Sequence, residues 1–324
     1  MCVCLEKKMM PYLLHLSTST YLITAPEEIR AGFVALALER SRQATPFVEQ
    51  ARALKVSAMR VNHPNDLLEI EGIRVALLTA AGFSEKATKQ TEEKDHIVAI
   101  QNFIEKFLEP AGTHFVEELV YRFLLTRRDS LGGSMRNVAG KLAERKLTQA
   151  LISALTLTGT TYQWFNAESN TWINGKSDNT DIELSLKALS WKKKKGARTL
   201  IYNRTIPLVR KNIDLCLLDY KPEEIKPAAY KIPEKFIAFG ELKGGIDPAG
   251  ADEHWKTAQT ALTRIKIAFA NENLSPHLFF VGAVIADSMA QEIWNQLEDG
   301  TLKNAANLTN PDQVASLANW LVGL

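Results

Sequence analysis

The sequence is short of three things: cysteine, net charge and long apolar runs. Its 324 residues include only three cysteines, Cys2, Cys4 and Cys216. The first two are too close together and too terminal to frame a domain, and Cys216 sits in an apolar run. No zinc-ligand spacing is present, so a disulfide-stapled secreted scaffold is excluded and a reduced, cytoplasmic setting is expected. The formal net charge is +2, too small for the chain to hold nucleic acid by bulk charge. Any nucleic-acid surface must be local. No run approaches the ~20 apolar residues of a membrane-spanning helix. What is present is a 46% hydrophobic composition, ample to bury the core of one large domain or two.

Lys7 and Lys8 precede an apolar stretch, Met9 to Leu14, that faintly resembles a signal peptide. Pro11, His15 and the run Ser17-Thr18-Ser19-Thr20 interrupt it. Residues 1–25 are therefore expected to be a tail, or to precede a later start at Met9 or Met10. Up to about residue 155 the apolar spacing is helical, predicting helices over 27–42, 46–61, 65–80, 96–108, 113–125 and 134–156. Beyond it strands are expected over 161–166, 170–173, 199–209, 212–218, 235–243 and 278–286, with helices over 251–271 and 288–297. The expected fold is thus mixed α/β: a mainly helical region over 26–155, interlocked with an α/β core over 156–324 whose sheet is covered on both faces.

One strand end carries a suggestive set of side chains. Alternate strand residues share a face, so Glu241 and Lys243 project side by side. Asp214, in the apolar run 212–218, can join them from a neighbouring strand. Two carboxylates and an ammonium are the parts that phosphodiester hydrolysis needs. Magnesium binds through one or two carboxylates, with the Leu242 carbonyl as a further oxygen, and the lysine offsets developing negative charge. The acid-x-Lys spacing alone is weak, because it recurs at Glu6/Lys8, Glu92/Lys94, Glu144/Lys146, Asp219/Lys221 and Glu224/Lys226. Context separates Glu241/Lys243: Phe236-Ile237-Ala238-Phe239 leads into it and Gly244-Gly245 ends it. The alternative is a surface ion pair at a strand terminus. His254, in the first turn of the next helix, is a candidate general base or water-orienting group, or else a packing residue.

The stretch from Gly240 through Glu241-Leu242-Lys243-Gly244-Gly245-Ile246-Asp247-Pro248 to Thr257 resembles the AvaI/BsoBI family of type II restriction endonucleases. So do Arg30-Ala31-Gly32-Phe33, Ala51-Arg52-Ala53-Leu54-Lys55-Val56, Asp129-Ser130-Leu131-Gly132-Gly133, Met135-Arg136-Asn137 and Pro207 to Asp214. The likeness runs from about Glu27 to the C-terminus. It implies a PD-(D/E)XK restriction-endonuclease-like core with a large helical portion. It also implies a homodimer that surrounds double-stranded DNA, Mg2+ as cofactor, and a DNA methyltransferase as functional counterpart. The implied site is the palindrome CYCGRG, cut after its first C to leave four-base 5′ overhangs. The implied catalytic set is Asp214, Glu241 and Lys243 with His254, although Ile213 rather than proline precedes Asp214. Lys86, Lys211 and Asp247 are the candidate base readers, since lysine suits guanine edges and an acid suits the cytosine amino group. Ser130 and Arg136 are candidate phosphate contacts. For Lys86 the alternative is a solvated helix end, and for Ser130 and Arg136 a helix-start turn. The lysine run 192–195 reads as a solvated hairpin tip ahead of a DNA contact. Two other functions compete: a structure-selective PD-(D/E)XK nuclease of repair or recombination, and a DNA-binding module with a decayed centre.

Overall fold

The computed structural model describes residues 10–135, 138–176, 181–194 and 196–324, with side chains described for all of these except 128–135. The chain forms two compact units, one of residues up to Phe33 together with Ala139–Leu324, the other of Val34–Val138. The change of texture at residue 155 is therefore not the unit boundary. The last long helix of the N-terminal half belongs with the sheet.

The helical unit contains most of α1 (Pro26–Ala58), then α2 (Arg74–Ala80), α3 (Glu85–Gln90), α4 (Glu93–Phe103) and α5 (Phe115–Met135). Its core is built on Leu67, Leu77, Ile100, Ile104, Leu119 and Phe123, all nearly inaccessible to water. Each such side chain contributes roughly 1.5–3 kcal/mol on burial. Two helices expected over 27–42 and 46–61 are one, because α1 continues through Pro46. A proline there removes one backbone hydrogen bond, and the rest of a 33-residue helix carries the geometry across it. The helix expected over 65–80 is instead a 3-10 segment, Pro64–Glu69, and the short α2. α4 runs on as a π-helical turn, Ile104–Leu108.

In the sheet unit, α6 (Val138–Leu157) precedes β1 (Tyr162–Asn166), β2 (Thr171–Asn174), α7 (Ile182–Ser185), β3 (Leu186–Lys192), β4 (Ala197–Ile206), β5 (Lys211–Leu218) and β6 (Phe236–Lys243). Then come α8 (Ala251–Ala270), β7 (His277–Gly282), α9 (Asp287–Glu298), β8 (Asn304–Asn307) and α10 (Pro311–Gly323). The strand order is β2-β1-β3-β4-β5-β6-β7-β8. Pairing is antiparallel from β2 to β6 and parallel from β6 to β8, the parallel strands being linked by helical crossovers as they must be. β3, β8 and α10 were not expected from the sequence. β8 is Asn-Ala-Ala-Asn, polar to read, yet buried because Asn307 donates to the Leu22 carbonyl and Thr24 Oγ1.

Register fixes which helices cover which face. Tyr202, Leu215, Gly240 and Phe279 are successive cross-strand partners and share one face. α6 covers it through a Thr148–Tyr202 hydroxyl hydrogen bond of 2.7 Å, and α10 through Trp320, 5.7 Å from the Phe279 ring. The opposite face carries Phe239 and Phe280, which meet Phe269 and Trp255 of α8 at 5.0 Å each. Residues 10–25, expected as a tail, belong to this unit. Tyr12, Leu16 and Leu22 are buried, and the Thr24 hydroxyl donates to the Ala283 carbonyl and accepts from Ile285 N–H. Residues 1–9 lie outside the described residues.

Candidate active site

β5 and β6 pair in register only as far as Leu215 and Gly240. Past that point the Leu242 N–H turns to the Asp214 carboxylate at 2.9 Å instead of to a backbone carbonyl. The side chains of Asp214, Glu241 and Lys243 lie on the α8 face, by the alternation that places Phe239 and Phe280 there. There Lys243 Nζ lies 2.6 Å from Glu241 Oε2 and 2.9 Å from Asp214 Oδ2. The three side chains predicted from spacing are therefore one cluster. Its members are unequally covered: Asp214 is 24% exposed, Lys243 18% and Glu241 only 4%.

Burial raises the Glu241 carboxyl, and Asp214 raises it further by like-charge repulsion. Lys243 opposes both, and the result is pushed up to about 7. For Lys243 burial acts downward, but the two carboxylates outweigh it and hold the ammonium above its ordinary value. Two acids facing one lysine leave an excess of one negative charge in a largely dry site. That is an environment in which a divalent cation gains. Among the described residues no group of three or more His, Cys, Asp or Glu gathers as a metal cage. The donors here are two carboxylates.

The connection after Lys243 is shaped by close approach. A side chain on Gly244 would collide with the Ala139 carbonyl of α6, and one on Gly245 with the imidazole of His254. His254 is thus on α8 as expected, its Nε2 folded over the loop two residues beyond Lys243. Asp247 is exposed, and its Oδ1 accepts from Ala249 N–H at 3.0 Å, capping the 3-10 turn Pro248–Gly250. Lys211 is exposed at the start of β5, an odd number of residues from Asp214 and so on the other face. Lys86 is exposed in the first turn of α3, beside Glu85, which accepts from Arg127 at 3.3 Å. Ser130 lies within α5 with its side chain outside those described, and Arg136 lies outside the described residues. Of the lysine run, Lys192 ends β3 and Lys193 Nζ donates to the Val322 and Gly323 carbonyls, tying down the end of α10. Lys195 is outside the described residues.

Neighbours of the cluster escaped the sequence reading. Asn203 lies between Tyr202 and Arg204, whose partners Leu215 and Ile213 flank Asp214. Its φ is 52°, a left-handed conformation within a strand. Its amide donates to Glu144 of α6 at 2.5 Å. The Arg204 guanidinium stands 4.0 Å from the Tyr230 ring. Cys216 is fully buried beneath the acids. Its thiol is pushed up by burial and by Glu241 and Asp214, against Arg204. The only signal in the sequence was a pair of polar residues, Asn203-Arg204, directly after the apolar run Leu200-Ile201-Tyr202 of β4.

A profile described as "Restriction endonuclease BsobI" matches residues 12–324. The chain is 58% identical over 315 residues to "Type II restriction enzyme AvaI" of Nostoc sp., and equally to that of Anabaena variabilis, covering 97% of this chain and 100% of each relative. It is 50% identical over 318 residues to "Type II restriction enzyme BsoBI" of Geobacillus stearothermophilus, covering 97% of this chain and 98% of the relative.

Proposed function

We propose how this chain, which belongs to the BsobI restriction endonuclease family and is a type II restriction enzyme, cuts DNA: Asp214, Glu241 and Lys243 hydrolyse a phosphodiester of duplex DNA with Mg2+. The carrying observation is that one ammonium, Lys243 Nζ, touches both carboxylates at 2.6 and 2.9 Å at the end of a buried strand.

The residues fit magnesium. It needs only one or two carboxylates because it keeps several waters, and Asp214 and Glu241 supply two. The Leu242 carbonyl is a third oxygen. Lys243 O accepts from Ala283 N–H towards β7, whereas Leu242 N–H points to Asp214. Backbone groups of successive strand residues alternate sides, so the Leu242 carbonyl faces the Asp214 side, beyond the last β5–β6 pair. When bound, the ion lowers the pKa of an attacking water and offsets phosphate charge. Asp214 and Glu241 hold that charge in place. Lys243 places its ammonium against the same oxygens and stabilises negative charge that develops on the phosphate. His254, over Gly245, orients or deprotonates the water.

The substrate is double-stranded DNA at CYCGRG, cut after the first C to leave four-base 5′ overhangs. A homodimer suits a palindrome, since a two-fold assembly offers one such site to each strand. Lys86, Lys211 and Asp247 read base edges, and Ser130 and Arg136 hold backbone phosphates. A DNA methyltransferase protects the host's own sites. Digestion of DNA of known sequence with Mg2+, with both cut ends mapped, tests this. Discrete fragments with those overhangs are expected; a smear, or cutting at junctions regardless of sequence, overturns it.

A further inference from the structure

The loop from Gly244 to Gly250 begins directly after Lys243, carries Asp247 and delivers α8 with His254. Two contacts from elsewhere in the sheet unit seat it. Ala139 of α6 presses its backbone carbonyl against Gly244, leaving no room for a side chain. On the other side Ile246, 8% exposed, fills the space left by the missing side chain of Gly32 on α1. A Cβ on Gly32 would overlap Ile246 Cγ1 and Cδ1 but stand 3.4 Å from Ile246 Cβ, an ordinary contact.

Gly32 is mid-helix, where alanine is the better residue, and its φ is not positive. What glycine supplies at this position is therefore room and not conformational freedom. The placement is also telling. The chain leaves the sheet unit after Phe33 and returns at Ala139. Both helices that lead to and from the helical unit thus rest on the loop that follows Lys243.

We infer that Gly32 is a positioning residue for cleavage. By admitting the Ile246 side chain it fixes the loop between Lys243 and Asp247. The seating of the active site thereby depends on the second turn of α1 and the first turn of α6. This rests on the nuclease reading above. It adds that a helix outside the catalytic strands sets the rate without touching DNA or metal.

Complementary changes in size test it, read by single-turnover cleavage with Mg2+ and by DNA affinity with Ca2+. Gly32→Ala forces Ile246 aside and is expected to slow cleavage by on the order of tenfold to a hundredfold, the scale of a misplaced reacting group. Affinity in Ca2+ for duplex lacking the recognition site, which does not call on Asp247, should stay within about twofold, as expected where the loss falls on transition-state interactions. Ile246→Ala removes atoms, cannot clash, and is expected to slow cleavage likewise. In the double variant the new Cβ occupies part of the vacated space, so it should cleave faster than the slower of the two single variants. Two unrelated structural losses would instead add. The inference is overturned if both single variants cleave at the wild-type rate, or if the double variant is no faster than the slower of them. Should Gly32→Ala fail to fold, Ile246→Ala decides alone, and a wild-type rate in it overturns the inference. A wild-type chain that cuts no DNA sinks the nuclease reading and this inference together. A wild type that cuts while the size swap fails sinks only the inference.

Discussion

Strand β5 has an aspartate in it and another just past its end, and the two occupy opposite chemical worlds. Asp214 meets one cation, Lys243, in the company of a second acid that is 4% exposed. Asp219, 42% exposed, meets two cations, Arg198 at 2.7 Å and Lys235 at 3.3 Å, with no second acid in the contact. Asp214 interrupts an apolar run, whereas Asp219 opens an acid- and lysine-rich stretch, and Asp219/Lys221 even repeats the acid-x-Lys spacing. The first cluster has acid in excess and is largely dry; the second has cation in excess and is wet. A surplus of buried carboxylate favours a metal ion, whereas the Asp219 triad joins β4 and the turn before β6 to the end of β5, with little energy per exposed pair. The pair Glu92/Lys94 marks the far end of the scale, at 2.8 Å but with both side chains about three-quarters exposed.

The largest effect that separates the two clusters should come from charge removal. Asp214→Asn is expected to lower the cleavage rate by roughly a thousandfold or more while specific DNA binding in Ca2+ persists. Full activity in that variant would place catalysis elsewhere. Lys243→Met should cost roughly a hundredfold to a thousandfold, because a preorganised charge at the developing anion is lost. A rate within a few-fold of wild type would make Lys243 a structural partner only. His254→Ala is expected to slow cleavage by about a hundredfold, with no rescue by added Mg2+. A normal rate at neutral pH would reduce the imidazole to packing against Gly245.

A pH experiment sharpens the contrast further. The folded Glu241 carboxyl sits near 7, above its ordinary value, so acid protonates it and removes the surplus charge. Cleavage should fall as pH drops through about 7, and more Mg2+ should move that limb to lower pH by competing with the proton. For stability the sign is the reverse. The raised carboxyl favours the folded state at low pH, and that contribution is lost as pH climbs towards 7. In EDTA, the Tm of Glu241→Gln should therefore decline less over this range than that of the wild type, as thermal melts would show. The smallest effect belongs to the other cluster. Asp219→Asn should leave cleavage within about twofold and cost about 0.5–1 kcal/mol of stability. A strong loss of activity there would erase the distinction.

The strands of the candidate site were legible because β5 and β6 are apolar runs broken by single charged residues, and a two-residue period assigns those charges to a face. The hairpin β1–β2 and the crossover α8 were legible for the same reason of period and turn chemistry. β8 was not, since its asparagines look like loop until Leu22 and Thr24 satisfy Asn307. α1 was read as two helices because proline is a local break signal, and continuity through Pro46 depends on the turns around it. Residues 10–25 look like a tail by composition, but their few apolar side chains find a place against α9 and α10. Asn203 and Arg204 gave almost no signal, because what matters about them is their place beside Asp214.

By itself the sequence determined the alternation that puts Glu241 and Lys243 side by side, the absence of a membrane-spanning run, and a family likeness long enough to name its relatives. These are local or one-dimensional properties: period, composition and matching residues. Only the tertiary structure decided that β5 and β6 part at Leu215 and Gly240, so that Asp214 completes the cluster, and that Glu241 is dry enough to titrate near 7. Only it decided that Gly32 and Ala139, distant in sequence, press on the same loop. Strand divergence, desolvation and close packing arise between segments far apart along the chain, and no local pattern encodes them.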